Sequence, residues 1–588
     1  MHYLQFLGFA VLASALRAEP VPADPFVELT PLLVNGSREL PPPQSWRHTT
    51  IPKFEVLSSA SDRTTQRLLR DFDLFRQALG YVWPLPKRTE APTPLIICAR
   101  SGEFAAFVPA GRSTPDTALA SLFLHQGNQS AIVINLAATT LDVLNTDVSN
   151  DAATGTDSSL VAVDHDKQLY REYVRYLLST GETRQPAWLE EGLAQIITRI
   201  QFTARTIILA RLEETNTVSA AARSVATFNT GVDPDGNDGA LLPGAPLEDR
   251  DFNSVLRRRR LLPFQQFFTI TADSPEAMNP LGNNRWAKQA YAFVHLCLYG
   301  EGGKYQKAFA TFLARQANQP VTEALFKECF KLSYDQMATE LRGYIDFTAY
   351  QAKEYRAKQD MIIAPPPPEL RAATESEIGR LKGEALVLAG KDELAHRELT
   401  VPYLRGERDP QLLAALGLFE QTKGTEDRAR KFLTAAVAAK TTRPEAYIEL
   451  VRYRYNDALA ARTSPQTLLS ADQVTSLLET LFGARAYPPP RAAVYELAAD
   501  IWIHGARKPT REDVSYLVQG VRQFPTRLML TLQTAALCAN AGLLEAAHSL
   551  VDHGLKIAND PAVRAPFEKL KASLPPLPTT PASTPAPR

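Results

Sequence analysis

Apolar side chains recur at a helical period over residues 65–79, where Leu68, Leu69, Phe72, Phe75 and Leu79 share one face. The period returns over residues 169–178, with Leu169, Tyr170, Tyr173, Val174, Leu177 and Leu178 in one stripe. Three short apolar blocks, residues 54–59, 94–98 and 131–136, predict strands. Residues 50–136 therefore predict a small α/β lobe leading into a helix. Residues 137–165 are rich in Asp, Thr, Ser and Asn and predict a mobile insertion; residues 225–250 predict a second loop of Gly, Pro and Asp. From residue 370 the pattern is helical and rich in Ala and Leu. Pro410 and Pro444 stand 34 residues apart, and Pro525 and Pro561 stand 36 apart, close to the period of helix-pair repeats. Proline suits the first helical turn, where an N–H would have no partner within the helix. Such pairs bury their faces only by stacking. This predicts four or five pairs in a solenoid, the alternative being a plain helical bundle.

The candidate chemistry lies on the second stripe. Arg171-Glu172-Tyr173-Val174-Arg175 is followed by Trp188-Leu189-Glu190-Glu191-Gly192-Leu193-Ala194. With histidine at both arginine positions the first string would read H-E-x-x-H. In that pattern two imidazoles one helical turn apart bind zinc and the glutamate is the general base. Guanidinium has N–H donors and no acceptor, so it cannot ligate a metal. Without zinc, no bound water is driven toward hydroxide near neutral pH. Arg171 and Arg175 lie four apart and share a helix face, where like charges repel. A carboxylate between them offsets this, and both guanidiniums are expected to pair with Glu191. R-E-x-x-R alone is common on charged helices; its weight here comes from the string that follows.

Pro186-Ala187-Trp188-Leu189-Glu190-Glu191-Gly192-Leu193-Ala194 resembles the P-x-W-L-x-E-G-x-A segment of the peptidase MA-like proteins, a gluzincin-type family of bacteria. Phe54-Glu55-Val56-Leu57-Ser58-Ser59, the Leu261-Leu262-Pro263 element and the helix around His295 add to the resemblance, which covers roughly residues 45–350. It implies that Glu191 stands at the third zinc ligand and Glu172 at the vestigial general base. Arg171 and Arg175 stand where the family has histidines. The implied fold is an α+β zincin-like domain, mostly helical with a small sheet, followed by an all-α, tetratricopeptide-like helical-repeat domain. The expected organisation is a signal peptide at 1–18, a disordered Pro-rich leader at 19–48, the peptidase-like domain at 49–360 and a Pro-rich linker at 361–369. Helical repeats at 370–572 and a disordered tail at 573–588 complete it. The implied function is a non-catalytic peptidase-like protein that acts as a peptide- or protein-binding or scaffold protein through its groove and helical repeats, Arg171, Arg175 and Glu191 being the binding candidates. No metal or other cofactor is expected. The alternative is an active zinc peptidase with replacement ligands such as His165 or His295.

The chain has 588 residues, with Lys+Arg and Asp+Glu both 64, which argues against a nucleic-acid or anionic-membrane binder. The apolar stretch 3–16 reads as a secretory signal, cleaved after Ala15 or Ala18, so an exported protein, periplasmic or extracellular, is expected. No later run is long enough to span a membrane. Cys98, Cys297, Cys329 and Cys538 are widely spaced; a Cys297–Cys329 disulfide and buried free thiols are both open. Asp164-His165-Asp166 reads as a helix cap, the alternative being metal ligation. Residues 257–260, four arginines, read as a charged helix end, and His295 as a core histidine.

Overall fold

Six strands form one mixed sheet in the order β11-β1-β2-β3-β5-β4. They are β1 (Arg47–Ile51), β2 (Phe54–Ser58), β3 (Thr93–Cys98), β4 (Ser121–Gln126), β5 (Gln129–Asn135) and β11 (Arg371–Ala372). The computed structural model describes residues 40–83, 92–110, 119–143, 159–179, 185–209, 212, 252–257, 259–279, 281–282, 284–317, 319–347, 352–558 and 560–576. The signal segment, most of the leader, the 225–250 loop and most of the tail lie outside the described residues.

β2, β3 and β5 run parallel, while β1, β4 and β11 pair antiparallel with their neighbours. Every residue of β3 is buried, which requires cover on both faces. On one face lie helices α1 (Asp62–Val82) and α3 (His165–Leu178), the short helix α2 (Ser101–Ala105) following β3. Ser61 caps α1 by accepting from the Thr64 N–H, and Leu68, Leu69, Phe72, Phe75 and Leu79 are buried, as their spacing predicts. Aromatic rings fix α3 on this layer. Phe75 stacks on Tyr170 at 3.9 Å, and Phe54 and Phe72 meet Tyr173 edge-on. The other face is covered by the helix Glu375–Leu388, which packs on β3, β4 and β5 and pairs with the helix Asp392–Leu404.

That second layer corrects the expected organisation. The chain divides into two units, and the sheet's unit runs from Val34 to Ala415, with Arg485–Arg491, so the division does not fall at 361–369. Residues 361–369 are tied along α1. Gln66 Nε2 donates to the Pro368 carbonyl at 3.1 Å, and Gln77 exchanges hydrogen bonds with the backbone of Ile363 at 2.9 and 3.0 Å. β11 follows at once, its Arg371 and Ala372 opposite His48 and Arg47. The leader is corrected as well: Trp46 is buried, and Arg47 and His48 belong to β1. Part of the expected polar insertion is a hairpin, β6 (Thr140–Val143) paired with β7 (Ser159–Ala162). A third sheet joins β8 (Gln201–Phe202), β9 (Thr206–Leu209) and β10 (Lys353–Arg356).

Helix α4 (Ala187–Ile197) packs between α3 and the helix Arg285–Tyr299. Gly192 permits this approach, since a Cβ there would lie 2.6 Å from a Val294 methyl and 2.7 Å from the Ala290 carbonyl. Trp188 is buried among Phe267, Phe268, Phe293, Phe309 and Phe312, so α4 is anchored by one large side chain in an aromatic core.

The other unit contains Leu416–Ala484 and Ala492–Arg588. Its described residues form successive helices from the helix Pro410–Lys423, which begins in the sheet's unit, to Pro561–Ser573. Pro410, Pro444 and Pro561 each open a helix, as their spacing predicts. Sequence neighbours pack together, the pair Leu528–Asn540 and Leu544–Ile557 most extensively. The region is helical-repeat-like, and it is shorter than expected because 375–404 serves the sheet.

Candidate functional site

Helix α3 divides its faces between packing and charge. Tyr170 and Tyr173 point into the aromatic layer with α1 and β2, while Arg171 and Arg175 meet α4. Arg171 donates from one terminal nitrogen to both oxygens of Glu191, at 2.7 and 2.8 Å. Arg175 spans two carboxylates: it donates to Glu172 at 3.0 and 3.1 Å and to Glu191 at 3.1 Å. Two guanidiniums therefore face two carboxylates in a neutral quartet, with Arg171, Glu172 and Glu191 buried and Arg175 mostly so. Charges taken out of water are costly unless paired and hydrogen-bonded. The quartet meets that requirement with charge-assisted contacts.

Residues outside the expected set complete it. The Ser121 hydroxyl on β4 donates toward Glu172 at 2.7 Å, with Gln168 Oε1 at 3.0 Å. Gln195 Nε2 donates to Glu191 at 2.8 Å and to the Gly282 carbonyl at 2.8 Å, while its oxygen accepts from the fully buried Lys288 at 2.8 Å. Gly282 has φ +59°, and a Cβ there would sit 2.3 Å from a Glu191 oxygen and 2.5 Å from an Arg171 nitrogen. The backbone at Gly282 thus lies directly on the ion pair. Gln195 was legible as the i+4 neighbour of Glu191 on one helix face. Ser121, Gly282 and Lys288 had no local signal, because distant segments bring them in.

The electrostatics follow the geometry. Burial alone would raise the Glu191 pKa; the Arg171 and Arg175 charges, with hydrogen bonds from Arg171 and Gln195, outweigh it and hold it at about 2 against an ordinary 4.5. Burial opposes the charge on Arg175, and the Glu172 and Glu191 carboxylates overcome it and raise its pKa. Stability should respond to acid accordingly. Above pH 4.5 Glu191 is ionised whether folded or not, and its contribution is complete. Between 4.5 and about 2 the unfolded chain takes up the proton first, so that contribution, roughly 3 kcal/mol, is lost as pH falls. Urea melts from pH 7 to pH 3 should show a shallower acid loss for Glu191→Gln than for the natural chain; equal slopes would remove Glu191 from the account.

The zinc implied by the family resemblance does not fit these residues. At the two positions one helical turn apart the donor atoms are N–H groups already committed to carboxylates, and neither offers a lone pair. The histidines named as replacement ligands have other partners. His165 Nε2 contacts the Ala138 carbonyl at 3.1 Å, and His295 Nδ1 contacts the Tyr344 hydroxyl at 2.7 Å, its ring edge-on to Phe252. Asp164 caps α3 by accepting from the Lys167 N–H. Burial raises the Asp166 pKa to about 7, with Arg67 3.5 Å away. Among the described residues His48, Glu55 and Glu377 are also spaced for a cation. Arg380 is bonded to Glu55 and Arg371 to Glu377, so that cluster is already charge-balanced. All four cysteines are free, so the Cys297–Cys329 disulfide is not formed. Arg257 follows the short helix Phe252–Leu256, and Arg259 and Arg260 lie beyond it.

No protein-family model matches this chain, and no curated protein matches it. Among the described residues no helix is long and apolar enough to cross a membrane.

Proposed function

We propose that this chain is a non-catalytic, exported relative of gluzincin-type peptidases, with a zincin-like domain and tetratricopeptide-like repeats, that binds or scaffolds a peptide or protein partner. The observation that carries the proposal is the Arg171–Glu191–Arg175–Glu172 quartet. Two single positive charges stand where one doubly charged metal would be held in the resembling family, and they satisfy the same two carboxylates. Glu172 is tied to Arg175 and Ser121 rather than poised over a water on a metal.

The binding half of the proposal draws support from the sheet. In the described strands β4 ends the order and pairs with β5 alone, an arrangement that can accept an extended peptide by strand addition. β4 also carries Ser121, so the filled centre lies at the foot of that edge. The arginines are engaged inside the protein, which makes them structural members of the centre and leaves recognition to its surroundings.

The test is elemental mass spectrometry of the purified chain with and without added zinc, together with cleavage of a mixed peptide library. The expected result is zinc far below stoichiometric and no cleavage that depends on Glu172. About one zinc per chain, with hydrolysis abolished by Glu172→Gln, would overturn the non-catalytic reading.

A further inference from the structure

The Pro-rich segment preceding β1 is held by the helical hairpin of residues 375–404. Arg405, one residue past the hairpin, donates to the Pro41 carbonyl. Lys382 Nζ donates to Gln44 Oε1 at 2.8 Å and to Glu398 at 2.8 Å, so one buried ammonium joins the segment to both helices. The Trp46 indole N–H donates to the same Gln44 oxygen at 3.1 Å, and Lys382 stands 5.8 Å from the Trp46 ring centre. Trp46 is buried, while Pro42, Pro43, Gln44 and Ser45 are exposed. The segment is thus a strap pinned at both ends and at one amide between them. Beside it opens a cleft of about 670 Å³, walled by the strap, by Arg100 and Ala106, and by Leu386 and Leu394 of the hairpin.

Three successive prolines hold φ near −65° and lack N–H groups, so such a segment is extended before it binds and loses little entropy on docking. It can be recognised only through its carbonyls, ring faces and the side chains that flank it. The hairpin supplies that chemistry: Arg405 for a carbonyl, Lys382 and Glu398 for a side-chain amide, and an apolar wall. We propose that this hairpin groove is a recognition site for extended proline-rich segments bearing an amide side chain, and that the strap of residues 41–46 is its resting occupant. A tethered occupant acts at an effective concentration in the millimolar range, so an outside segment enters only when the strap is released. This extends the peptide-binding reading to a second place in the fold. Its failure would leave the arginine-filled centre untouched, because the two share no residue.

The test uses the full chain and a synthetic peptide of residues 40–45 carrying a photoreactive group at the second proline. One variant combines Pro42→Gly, Pro43→Gly and Gln44→Ala, which loosens the exposed strap and leaves the groove intact. Crosslinks are mapped by mass spectrometry. The expected result is at least about a tenfold higher yield on the variant than on the natural chain, placed within residues 375–405, and a return to background when Lys382→Ala is added. Equal yields on the two chains, including none on either, or crosslinks placed elsewhere, would overturn the proposal.

Discussion

Replacing Glu191 with alanine is expected to lower the unfolding free energy by about 3–5 kcal/mol, the cost of leaving buried charge without its partner. Glu191 is 3% exposed and accepts from Arg171, Arg175 and Gln195. Its removal leaves Arg171, itself 6% exposed, facing a void beside Gly282. Arg175 keeps Glu172, so the damage centres on Arg171. The companion variant Arg171→Met with Glu191→Leu removes charge and counter-charge together and should be much milder, because well-packed apolar replacements of a buried pair are often neutral. Chemical denaturation of both variants and of each single change gives the coupling directly. A Glu191→Ala loss below about 1 kcal/mol, the range of an exposed ion pair, would mean that water reaches the centre and that the quartet does not hold α3 to α4.

Replacing Arg171 and Arg175 together with histidine is expected to give a variant that retains about one zinc per chain after dialysis, against an expected zinc content far below stoichiometric for the natural chain. The two positions share a helix face four residues apart, and Glu191 already contacts both side chains. Two imidazoles and a carboxylate are a three-ligand zinc set that leaves a fourth position for water. The charge balance makes the effect large. Without metal, the variant buries Glu172 and Glu191 with no guanidinium beside them, and should melt well below the natural chain. Zinc restores two positive charges and should raise the melting temperature, and a chelator should reverse the gain. Elemental mass spectrometry and melts with and without zinc check this. Neither zinc retention nor a thermal shift would show that the α3–α4 frame is not metal geometry, and would remove the main support for the peptidase resemblance.

The sequence carried the local parts of this fold well. The helical stripe at 65–79, the strands at 54–59, 94–98 and 131–136 and the motif helix all appear, within a few residues at their ends. Each is written in a period of two or of 3.6 within one short window, which is where pattern reading is strongest. The pairing of both arginines with Glu191 was also legible: like charges one turn apart on a buried helix require a carboxylate, and few were near. The errors lie where a segment's role depended on distant partners. Residues 361–369 read as a linker from their prolines, yet the amides of Gln66 and Gln77, some 300 residues earlier in the chain, hold their backbone. Residues 375–404 have the composition of the helices that follow, and nothing local tells a repeat helix from one that covers a sheet.

By itself the sequence determined the helical stripes at 65–79 and 169–178 and the three apolar strands, that Arg171 and Arg175 cannot ligate zinc, and that their helix needs counter-charge. These follow from side-chain chemistry and short-range spacing, which the chain carries without knowing its fold. The tertiary structure alone decided that Ser121 and the Gly282 backbone enclose the ion pairs, that a helical hairpin expected among the repeats closes the second face of the sheet, and that the Pro-rich segment is strapped to it. Those contacts join residues up to several hundred positions apart. Their energies come from burial and satisfied polar groups that exist only after the chain has folded.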